Sequence, residues 1–328
     1  MNQNRSSEFA LIDRYFTRPA SAAGVILGIG DDCALLQPTP GRQLAVTTDM
    51  LVEGTHFLPA GDPQNLGWKT LAVNLSDLAA MGATPRWVTL AGALPRADEA
   101  WLAAFAAGFF ACAGQYGVAL IGGDTTRGPL NLCLTAFGEI EPGRALRRDG
   151  AAVGEDIWVS GRPGLAALGL AQLQGRIVLP EPWPRLCLAA LEKPQPRVAL
   201  GQALLGLASA AIDVSDGLLA DLGHIARRSG CAAALRLTRL PHLPKGAADD
   251  AARRRLALEC QLTGGDDYEL CFTAPVAQQQ AIGAIAARLD LPLWRIGEMI
   301  DGPAGAVTVL DPDDQPLEFA KKGFEHFV

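Results

Sequence analysis

The segment Leu71-Ala-Val-Asn-Leu-Ser-Asp-Leu-Ala-Ala-Met-Gly82 carries the clearest helical signal in this 328-residue chain. Its leucines stand at positions 71, 75 and 78, the i, i+4, i+7 spacing that places side chains on one face of an α-helix. Gly82 then stands where a helix commonly ends in the left-handed conformation. The segment therefore predicts a helix with an apolar face that ends near Gly82, and the first half of the chain is interpreted around it.

The polar residues of the same helix form a second stripe, because Thr70, Asn74 and Asp77 are also spaced i, i+4, i+7. A solvated helix face is one interpretation of this stripe. Small apolar residues fill most of the remaining positions, however, and they favour a largely buried helix. A carboxylate that is buried in such a helix needs a cation or several hydrogen-bond donors nearby. Asp77 is therefore a candidate functional residue.

Strands and helices alternate outward from this helix through both halves of the chain. In the first half, Asp98 stands where it would cap a second helix whose apolar side includes Phe105 and Phe109. Strands are predicted at 25–27, 44–46, 87–94, 118–121, 130–140, 157–161, 268–273, 294–296 and 307–310. Two further strands are predicted, one that runs into residue 213 and one near residue 235. Helices are predicted at 165–174, 218–229 and 276–289. This alternation predicts the α/β (α+β) class, and about 150 residues per domain suggests two domains. A polar stretch over 147–156 marks the boundary, giving domains 1–148 and 149–328.

The composition excludes several classes of protein. Hydrophobic residues make up 49% and charged residues 19% of the chain, which is too apolar for intrinsic disorder. The formal net charge of −7 argues against a general nucleic-acid-binding protein, which needs a basic face for phosphate contacts. The longest small-and-apolar stretch, residues 103–114, is shorter than the roughly 20 residues that span a bilayer, and the N-terminus has no apolar signal region. Seven scattered cysteines without a Cys-x-x-Cys pair favour reduced thiols, so we expect a soluble, cytoplasmic protein that binds neither nucleic acid nor membrane.

Aspartates recur in one layout, in which an apolar run ends in small residues and an Asp follows. The segments are Gly28-Ile-Gly-Asp-Asp32, Val46-Thr-Thr-Asp49, Asn74-Leu-Ser-Asp77, Ile121-Gly-Gly-Asp124, Ile212-Asp-Val-Ser-Asp-Gly217 and Gly264-Gly-Asp-Asp267. Any one of them could be an ordinary turn. The ends of strands are also where a rigid scaffold presents functional groups, and glycine allows close approach of a ligand. The recurrence therefore predicts an array of carboxylates at strand ends.

Clustered carboxylates repel one another unless cations lie among them. Hard divalent cations prefer oxygen ligands, and the mixture of Asp with Thr and Ser hydroxyls suits magnesium that keeps water and substrate phosphates. An EF-hand calcium loop starting at Asp213 does not fit, because His224 stands where a Glu is required. The sequence also lacks a G-x-x-x-x-G-K-[ST] motif and a Gly-x-Ser-x-Gly elbow. The residues by themselves thus predict a magnesium-dependent enzyme acting on phosphates, with the substrate left open.

At these motifs the chain closely resembles the thiamine-monophosphate kinase family, part of the ATP-binding superfamily that includes aminoimidazole ribonucleotide synthetase and selenophosphate synthetase. The matching segments span nearly the whole chain in the family's order: Leu27–Leu35, Thr47–Asp49, Glu53–Phe57, Ala72–Gly82, Leu120–Gly128, Ile212–Gly217, Asp267–Leu270 and Lys322–Phe324. The resemblance implies a two-domain aminoimidazole ribonucleotide synthetase-like fold. Its N-terminal α/β domain would pair its sheet across a homodimer, and its C-terminal α/β domain would close over the nucleotide.

The resemblance also implies a reaction and its residues. The γ-phosphoryl group of ATP would pass directly, by in-line transfer with several Mg²⁺ ions, onto thiamine monophosphate, giving thiamine diphosphate and ADP in the last step of thiamine diphosphate synthesis. The implied metal ligands are Asp32, Thr47, Thr48, Asp49, Asp77, Asp124, Asp213 and Asp216. The implied ATP contacts are Gly123, Asp124, Arg148 and Ser215. Thiamine monophosphate would be held by His56, Asp266 and Phe324, and the catalytic residues would be Asp49, Asp124 and Arg148.

Two positions depart from the family pattern, and four alternatives stay open. Asp266 stands where members commonly carry Glu, so its shorter side chain would reach substrate only through water. Phe324 stands where Tyr is also usual, which keeps ring stacking but loses a hydroxyl hydrogen bond. His56 could instead be a structural loop histidine and Arg148 a solvated charge. The chain could also catalyse a sister ATP-dependent reaction, such as that of aminoimidazole ribonucleotide synthetase, or be a non-catalytic sensor of magnesium nucleotide.

Overall fold

The computed structural model describes residues 8–18, 22–242, 246 and 250–327. The chain divides into two compact units. The first comprises Met1–Leu78 with Ala83–Gly143, and the second comprises Ala79–Gly82 with Arg144–Val328. In the part of the chain that the structure describes, no helix is both long and apolar enough to cross a membrane.

The first unit is built on a four-stranded sheet with an adjoining two-stranded hairpin. Its elements are α1 (Glu8–Leu11) with a π-helical turn (Ile12–Phe16), β1 (Val25–Leu27), β2 (Leu35–Leu36), β3 (Gln43–Val52), α2 (Pro63–Ala80), β4 (Thr84–Leu94), α3 (Glu99–Tyr116), β5 (Ala119–Arg127) and β6 (Asn131–Ile140). The sheet order is β3-β6-β4-β5, in which only the β4–β5 pair is parallel. Strands β1 and β2 pair with each other.

Helices α2 and α3 confirm the sequence prediction and pack closely against each other. The leucines at 71, 75 and 78 of α2 are at most 1% exposed, and Gly82 has φ +71° just beyond the helix. Asp98 caps α3 by accepting a hydrogen bond from the Trp101 N–H. A Cβ atom on Gly67 would lie 2.0 Å from the Phe105 carbonyl oxygen, and one on Gly108 would lie 1.7 Å from the Gln64 carbonyl oxygen. Glycine is thus required where the two helix backbones approach.

The second unit is built on a seven-stranded sheet with helices packed on it. Its elements are β7 (Asp156–Ser160), α4 (Leu165–Leu173), α5 (Trp183–Glu192), α6 (Val198–Ala203), β8 (Ala210–Val214), α7 (Leu218–Ser229), β9 (Ala232–Arg236), α8 (Ala251–Thr263), β10 (Glu269–Ala274), α9 (Gln279–Leu289), β11 (Leu293–Ile300), β12 (Val307–Leu310) and β13 (Pro316–Leu317). The sheet order is β13-β12-β9-β11-β7-β10-β8. Only the β12–β9 pair is parallel.

Helix α7 packs on this sheet with its apolar side, as its sequence predicts. Leu218, Leu222 and Ile225 are fully buried in a core shared with the strand residues Ile212 and Val214. The helix runs from residue 218 to 229, the predicted range, and ends at a glycine in the left-handed conformation. Helix α8 was not predicted from the sequence, because three consecutive arginines near its start obscure the spacing of the apolar residues that follow.

Candidate active site

Two of the predicted site aspartates lie inside strands, which corrects the expectation that they follow strand ends, and a third lies in the strand that was predicted to run into it. Asp49 lies in β3, Asp124 in β5 and Asp213 in β8. Each of these strands stands at the edge of its described sheet. The small residues and threonines before each aspartate are compatible with extended backbone, so the strand continues through them. The three carboxylates differ in exposure, since Asp124 is exposed, Asp49 is half-buried and Asp213 is buried.

The polar stripe of α2 faces β3. The Thr47 hydroxyl donates a hydrogen bond to an Asp77 carboxylate oxygen at 2.5 Å, and the Asp49 N–H donates to the Asn74 side-chain oxygen at 3.1 Å. Thr70 and Asn74 are fully buried. The interpretation of the stripe as a solvated helix face is therefore wrong. The structure brings Thr47, Asp49 and Asp77 together, and Asn74 is a supporting residue to which the sequence prediction gave no role.

Thr48 lies apart from this group. Successive side chains of a strand point to opposite faces, so Thr48 is on the face opposite Thr47 and Asp49. Its hydroxyl forms a 2.9 Å hydrogen bond with the hydroxyl of Thr135 on β6. A metal ion that is held by the side chains of Thr47 and Asp49 could meet Thr48 only through its main chain. The structure thus does not bring the Thr48 side chain together with those of Thr47 and Asp49, and its role as a metal ligand stays a prediction.

His56 follows β3 and has a structural hydrogen bond. Its Nδ1 accepts a 3.0 Å hydrogen bond from the Val52 N–H, and its carbonyl oxygen accepts one from the Lys69 ammonium group at 3.3 Å. Because an imidazolium has no acceptor nitrogen, this geometry describes a neutral ring. The contact of His56 with a substrate stays a prediction.

The remaining predicted residues of the first unit are exposed. Asp32 lies in the loop between β1 and β2, where its N–H donates a 2.9 Å hydrogen bond to the Asp31 side chain. Asp124 follows Gly123, which has φ +155°. A Cβ atom on Gly123 would lie 1.8 Å from the Leu90 carbonyl oxygen of β4. Only glycine allows this close pairing, which sets the direction of the Asp124 side chain.

In the second unit three separate segments meet at the loop between β8 and α7. The Asp266 N–H donates a 2.9 Å hydrogen bond to the Ser215 carbonyl oxygen, and the Phe324 N–H donates one of 2.9 Å to the Asp216 carbonyl oxygen. The structure therefore brings together two predicted nucleotide or metal residues, Ser215 and Asp216, and two predicted acceptor residues, Asp266 and Phe324. Asp213 lies just before this loop and is 3% exposed.

The loop that carries Asp266 has an unusual backbone. Asp266 and Tyr268 have φ values of +68° and +51°, in the left-handed region that side chains other than glycine seldom adopt. The Tyr268 hydroxyl donates a 3.0 Å hydrogen bond to an Asp266 carboxylate oxygen. A Cβ atom on Gly265 would lie 2.3 Å from the Ser215 carbonyl oxygen. Such strain is a feature of binding sites.

Asp267, the neighbour of Asp266, has a structural role. Its carboxylate accepts hydrogen bonds from the N–H groups of Gly164 (2.6 Å) and Ala166 (3.4 Å) at the start of α4. Burial raises the pKa of Asp267 well above its usual range, and these two donors partly offset the rise. The adjacent aspartates therefore differ in function, since Asp267 caps a helix while Asp266 faces the loop of Ser215.

The charges around Asp216 are mixed. Burial raises the pKa of Asp216, and the nearby His326, His224 and Arg148 partly offset the rise. Burial, followed by Arg148 and Arg227, lowers the pKa of His224. Arg148 is exposed but close enough to influence both groups. The contact of Arg148 with phosphate stays a prediction.

The sequence prediction missed one residue of the site, Asp221. A single carboxylate oxygen of Asp221 accepts 3.1 Å hydrogen bonds from the N–H groups of Ser215, Asp216 and Gly217. Burial and the nearby Asp216 raise the pKa of Asp221 to about 7 despite these three donors. The signal that was available is an acidic residue in the first turn of a helix that follows a glycine-containing loop.

The donor groups suit a hard cation that keeps part of its own shell. Among the residues that the structure describes, no group of three or more His, Cys, Asp or Glu side chains could enclose a metal. A magnesium ion commonly takes only one or two carboxylates and completes its shell with water and phosphate oxygens. Asp49 and Asp77, with the Thr47 hydroxyl between the strand and the helix, offer such a partial set. These residues therefore fit magnesium.

Comparison with known proteins defines first a class and then a family. Residues 30–140 match the N-terminal domain, and residues 152–310 the C-terminal domain, of AIR synthase related protein. The thiamine-monophosphate kinase of Salmonella typhimurium is 48% identical over 327 residues, which is 98% of each chain. The crystal structure of the thiamine-monophosphate kinase of Stenotrophomonas maltophilia has 51% identity and a TM-score of 0.84, and the match covers 95% of this chain and 98% of that one. The chain belongs to the thiamine-monophosphate kinase family.

A third similar protein has been solved with ligands. AaThiL, complexed with AMPPCP and TMP, is 29% identical with a TM-score of 0.75, and the match covers 98% of this chain and 97% of that one. The resemblance that was inferred from the short motifs is thus confirmed over the whole chain. The roles of the individual site residues stay predictions.

Proposed function

We propose that this protein is an ATP-dependent kinase that transfers the γ-phosphoryl group of ATP onto the phosphate of thiamine monophosphate, giving thiamine diphosphate and ADP. This is the last step in the synthesis of thiamine diphosphate. The observation that carries the proposal is the 48% identity to a thiamine-monophosphate kinase over 98% of both chains. The AaThiL structure with AMPPCP and TMP supports ATP as the co-substrate and thiamine monophosphate as the acceptor.

The proposed reaction requires little acid–base catalysis from the protein. The acceptor is already an anionic phosphate oxygen, so no strong general base is needed, and the main obstacle is repulsion between two anions. Magnesium, when bound, supplies charge neutralisation on the phosphates. In the first unit Asp49 and Asp77 are proposed to retain such an ion, with Asp124 as a further carboxylate, and Arg148 of the second unit is proposed to supply a positive charge for phosphate.

The acceptor is proposed to bind at the loop that follows β8. Phe324 is 49% exposed and presents its ring for stacking, and its backbone is fixed by the hydrogen bond to Asp216. The thiazolium ring of thiamine is cationic, so the carboxylate of Asp266 complements its charge. The bond from the Tyr268 hydroxyl holds Asp266 in place.

We also propose that the chain acts as a homodimer in the cytoplasm. On the edge strand β3, Leu44, Val46 and Met50 alternate along one face and are 46%, 57% and 52% exposed. An apolar stripe of this kind typically marks a protein interface, and a second copy of the chain is its proposed occupant. The mass of the full chain in solution, measured by sedimentation, tests this part of the proposal.

A coupled assay of ADP release tests the proposed reaction. With MgATP present, we expect turnover with thiamine monophosphate and none with unphosphorylated thiamine, because the acceptor must offer a phosphate oxygen. Analysis of the product separates this reaction from a sister activity such as that of aminoimidazole ribonucleotide synthetase. ATP binding without ADP release in the presence of thiamine monophosphate would instead indicate a nucleotide sensor and contradict the proposal.

The adjacent threonines offer a matched pair of substitutions. Thr47→Val removes the hydroxyl that bonds Asp77, so we expect kcat/KM to fall about 10- to 100-fold, the effect of losing one charge-assisted hydrogen bond. Thr48→Val makes the same chemical change on the opposite face, and we expect an effect of less than about threefold. Steady-state rates over a series of magnesium concentrations measure both. Equal losses in the two variants would contradict the separation of these side chains.

A further inference from the structure

We propose that Asp221 is a positioning residue that holds the nucleotide-binding side chains and the acceptor-binding side chains of the second unit in one fixed arrangement. The proposal rests on the function proposed above for Ser215, Asp216, Asp266 and Phe324. Asp221 itself faces the backbone of the loop rather than a substrate. It is therefore distinct from the residues that would contact ATP, metal or thiamine monophosphate.

The first observation is how the loop is clamped. One oxygen of the buried Asp221 carboxylate accepts three N–H groups in succession, from Ser215, Asp216 and Gly217, each at 3.1 Å. The Asp221 N–H donates a 3.0 Å hydrogen bond back to the Gly217 carbonyl oxygen. Three donors on one carboxyl oxygen fix the direction of three consecutive peptide groups. The carbonyl groups of Ser215 and Asp216, which belong to two of these peptide groups, must then point away from the Asp221 carboxyl group.

The second observation is what those outward carbonyl groups hold. The Ser215 carbonyl oxygen accepts the Asp266 N–H, and the Asp216 carbonyl oxygen accepts the Phe324 N–H, both at 2.9 Å. Gly323 also packs closely against this loop, because a Cβ atom at that position would lie only 2.8 Å from the Asp216 carbonyl oxygen. Asp266 and Phe324, the proposed contacts of thiamine monophosphate, are thus each hydrogen-bonded to a peptide group that Asp221 orients.

It follows that Asp221 couples two binding functions through one loop. A rotation of the 215–217 peptides would displace Ser215 and Asp216 and would also break the hydrogen bonds to Asp266 and Phe324. A residue that only stabilised the fold would reduce the amount of active enzyme without raising the KM for either substrate, whereas loss of the clamp should raise both KM values. Loss of the clamp is therefore expected to lower kcat/KM for both substrates together.

The test compares Asp221→Asn with Asp156→Asn in the full-length protein. Asparagine keeps the shape of Asp221 but replaces the carboxyl group with an amide, whose oxygen is a weaker acceptor for three donors. We expect kcat/KM for MgATP and for thiamine monophosphate to fall together by about 10- to 100-fold. Asp156 is a matched control, because it is also buried and accepts a 2.6 Å hydrogen bond from Gln279 on another element. We expect Asp156→Asn to change either value by less than about twofold.

Amide hydrogen exchange provides a readout that does not depend on catalysis. In Asp221→Asn, peptides covering 214–218, 264–268 and 322–325 should all exchange faster than in the wild type, whereas Asp156→Asn should leave these three unchanged. Faster exchange confined to 214–218, or an equal fall in thermal stability of the two variants with no fall in kcat/KM, would overturn the proposal. If the wild-type chain does not phosphorylate thiamine monophosphate, the proposed function fails, while the exchange comparison still decides the role of Asp221.

Discussion

Asp49→Asn and Asp124→Asn are each expected to lower kcat by about 10³-fold or more. Each change removes a carboxylate that is predicted to bind magnesium, and the bound magnesium would neutralise the negative charge of the transferring phosphoryl group. Asparagine keeps the size of the side chain. Asp49 lies in β3 with its own N–H bonded to Asn74, and Asp124 is exposed on β5, so neither change leaves a cavity. Steady-state kcat at saturating MgATP and thiamine monophosphate measures the effect. Thermal unfolding of the same samples shows whether the fold is kept.

Asp98→Asn is the matched control in the same unit. Asp98 caps α3, and asparagine caps a helix about as well as aspartate, so both turnover and melting temperature should stay close to the wild type. Near-normal turnover in both Asp49→Asn and Asp124→Asn would contradict the assignment of these carboxylates to the reaction. A large fall in melting temperature would show that they act through the fold instead.

The parts of the fold that the sequence predicts are those that local rules determine. The helix around Asp77 and the helix at 218–229 follow from apolar spacing and a terminal glycine, and both were placed correctly. The strand predicted at 44–46 extends through Val52 in the structure, since Thr-Thr-Asp continues an edge strand. With that extension, the two-residue period of a strand separates Thr48 from Thr47 and Asp49. The resemblance that groups both threonines in one ligand set carries no information on the face to which each side chain points.

The parts that the sequence does not reveal depend on the backbone of distant segments. The clamp of Asp221 uses N–H groups, which every residue except proline carries, so no pattern of side chains marks it. The left-handed conformations of Asp266 and Tyr268 are likewise invisible, because neither residue is glycine. The contact of residues 323 and 324 with the loop after β8 joins segments about a hundred positions apart. Motif resemblance predicted that these residues share a site, but not how they are attached.

Arg197→Met is expected to destabilise the protein by about 3–5 kcal/mol, because it leaves the buried carboxylate of Glu269 without its cationic partner. Arg197 donates to Glu269 through Nε at 2.6 Å and Nη2 at 2.5 Å, and the Ser160 hydroxyl donates to the same carboxylate at 2.5 Å. The free energy of unfolding from denaturant titration measures the loss. The double variant Arg197→Met with Glu269→Gln should regain part of it, since the uncompensated charge is gone.

Arg185→Met is the control for the loss of an arginine as such. Arg185 and its partner Glu181 are 82% and 71% exposed, so removing this pair should change the free energy of unfolding by less than about 0.5 kcal/mol. Glu269 lies two residues beyond Asp267 within the segment Asp267–Leu270, where neighbouring acidic residues have different partners. If Arg197→Met lowers stability while folded protein keeps its kcat, then Glu269 supports the loop of Asp266 by packing and pairing alone. A fall in kcat as large as that of Asp49→Asn, with stability unchanged, would instead place Glu269 in the chemistry.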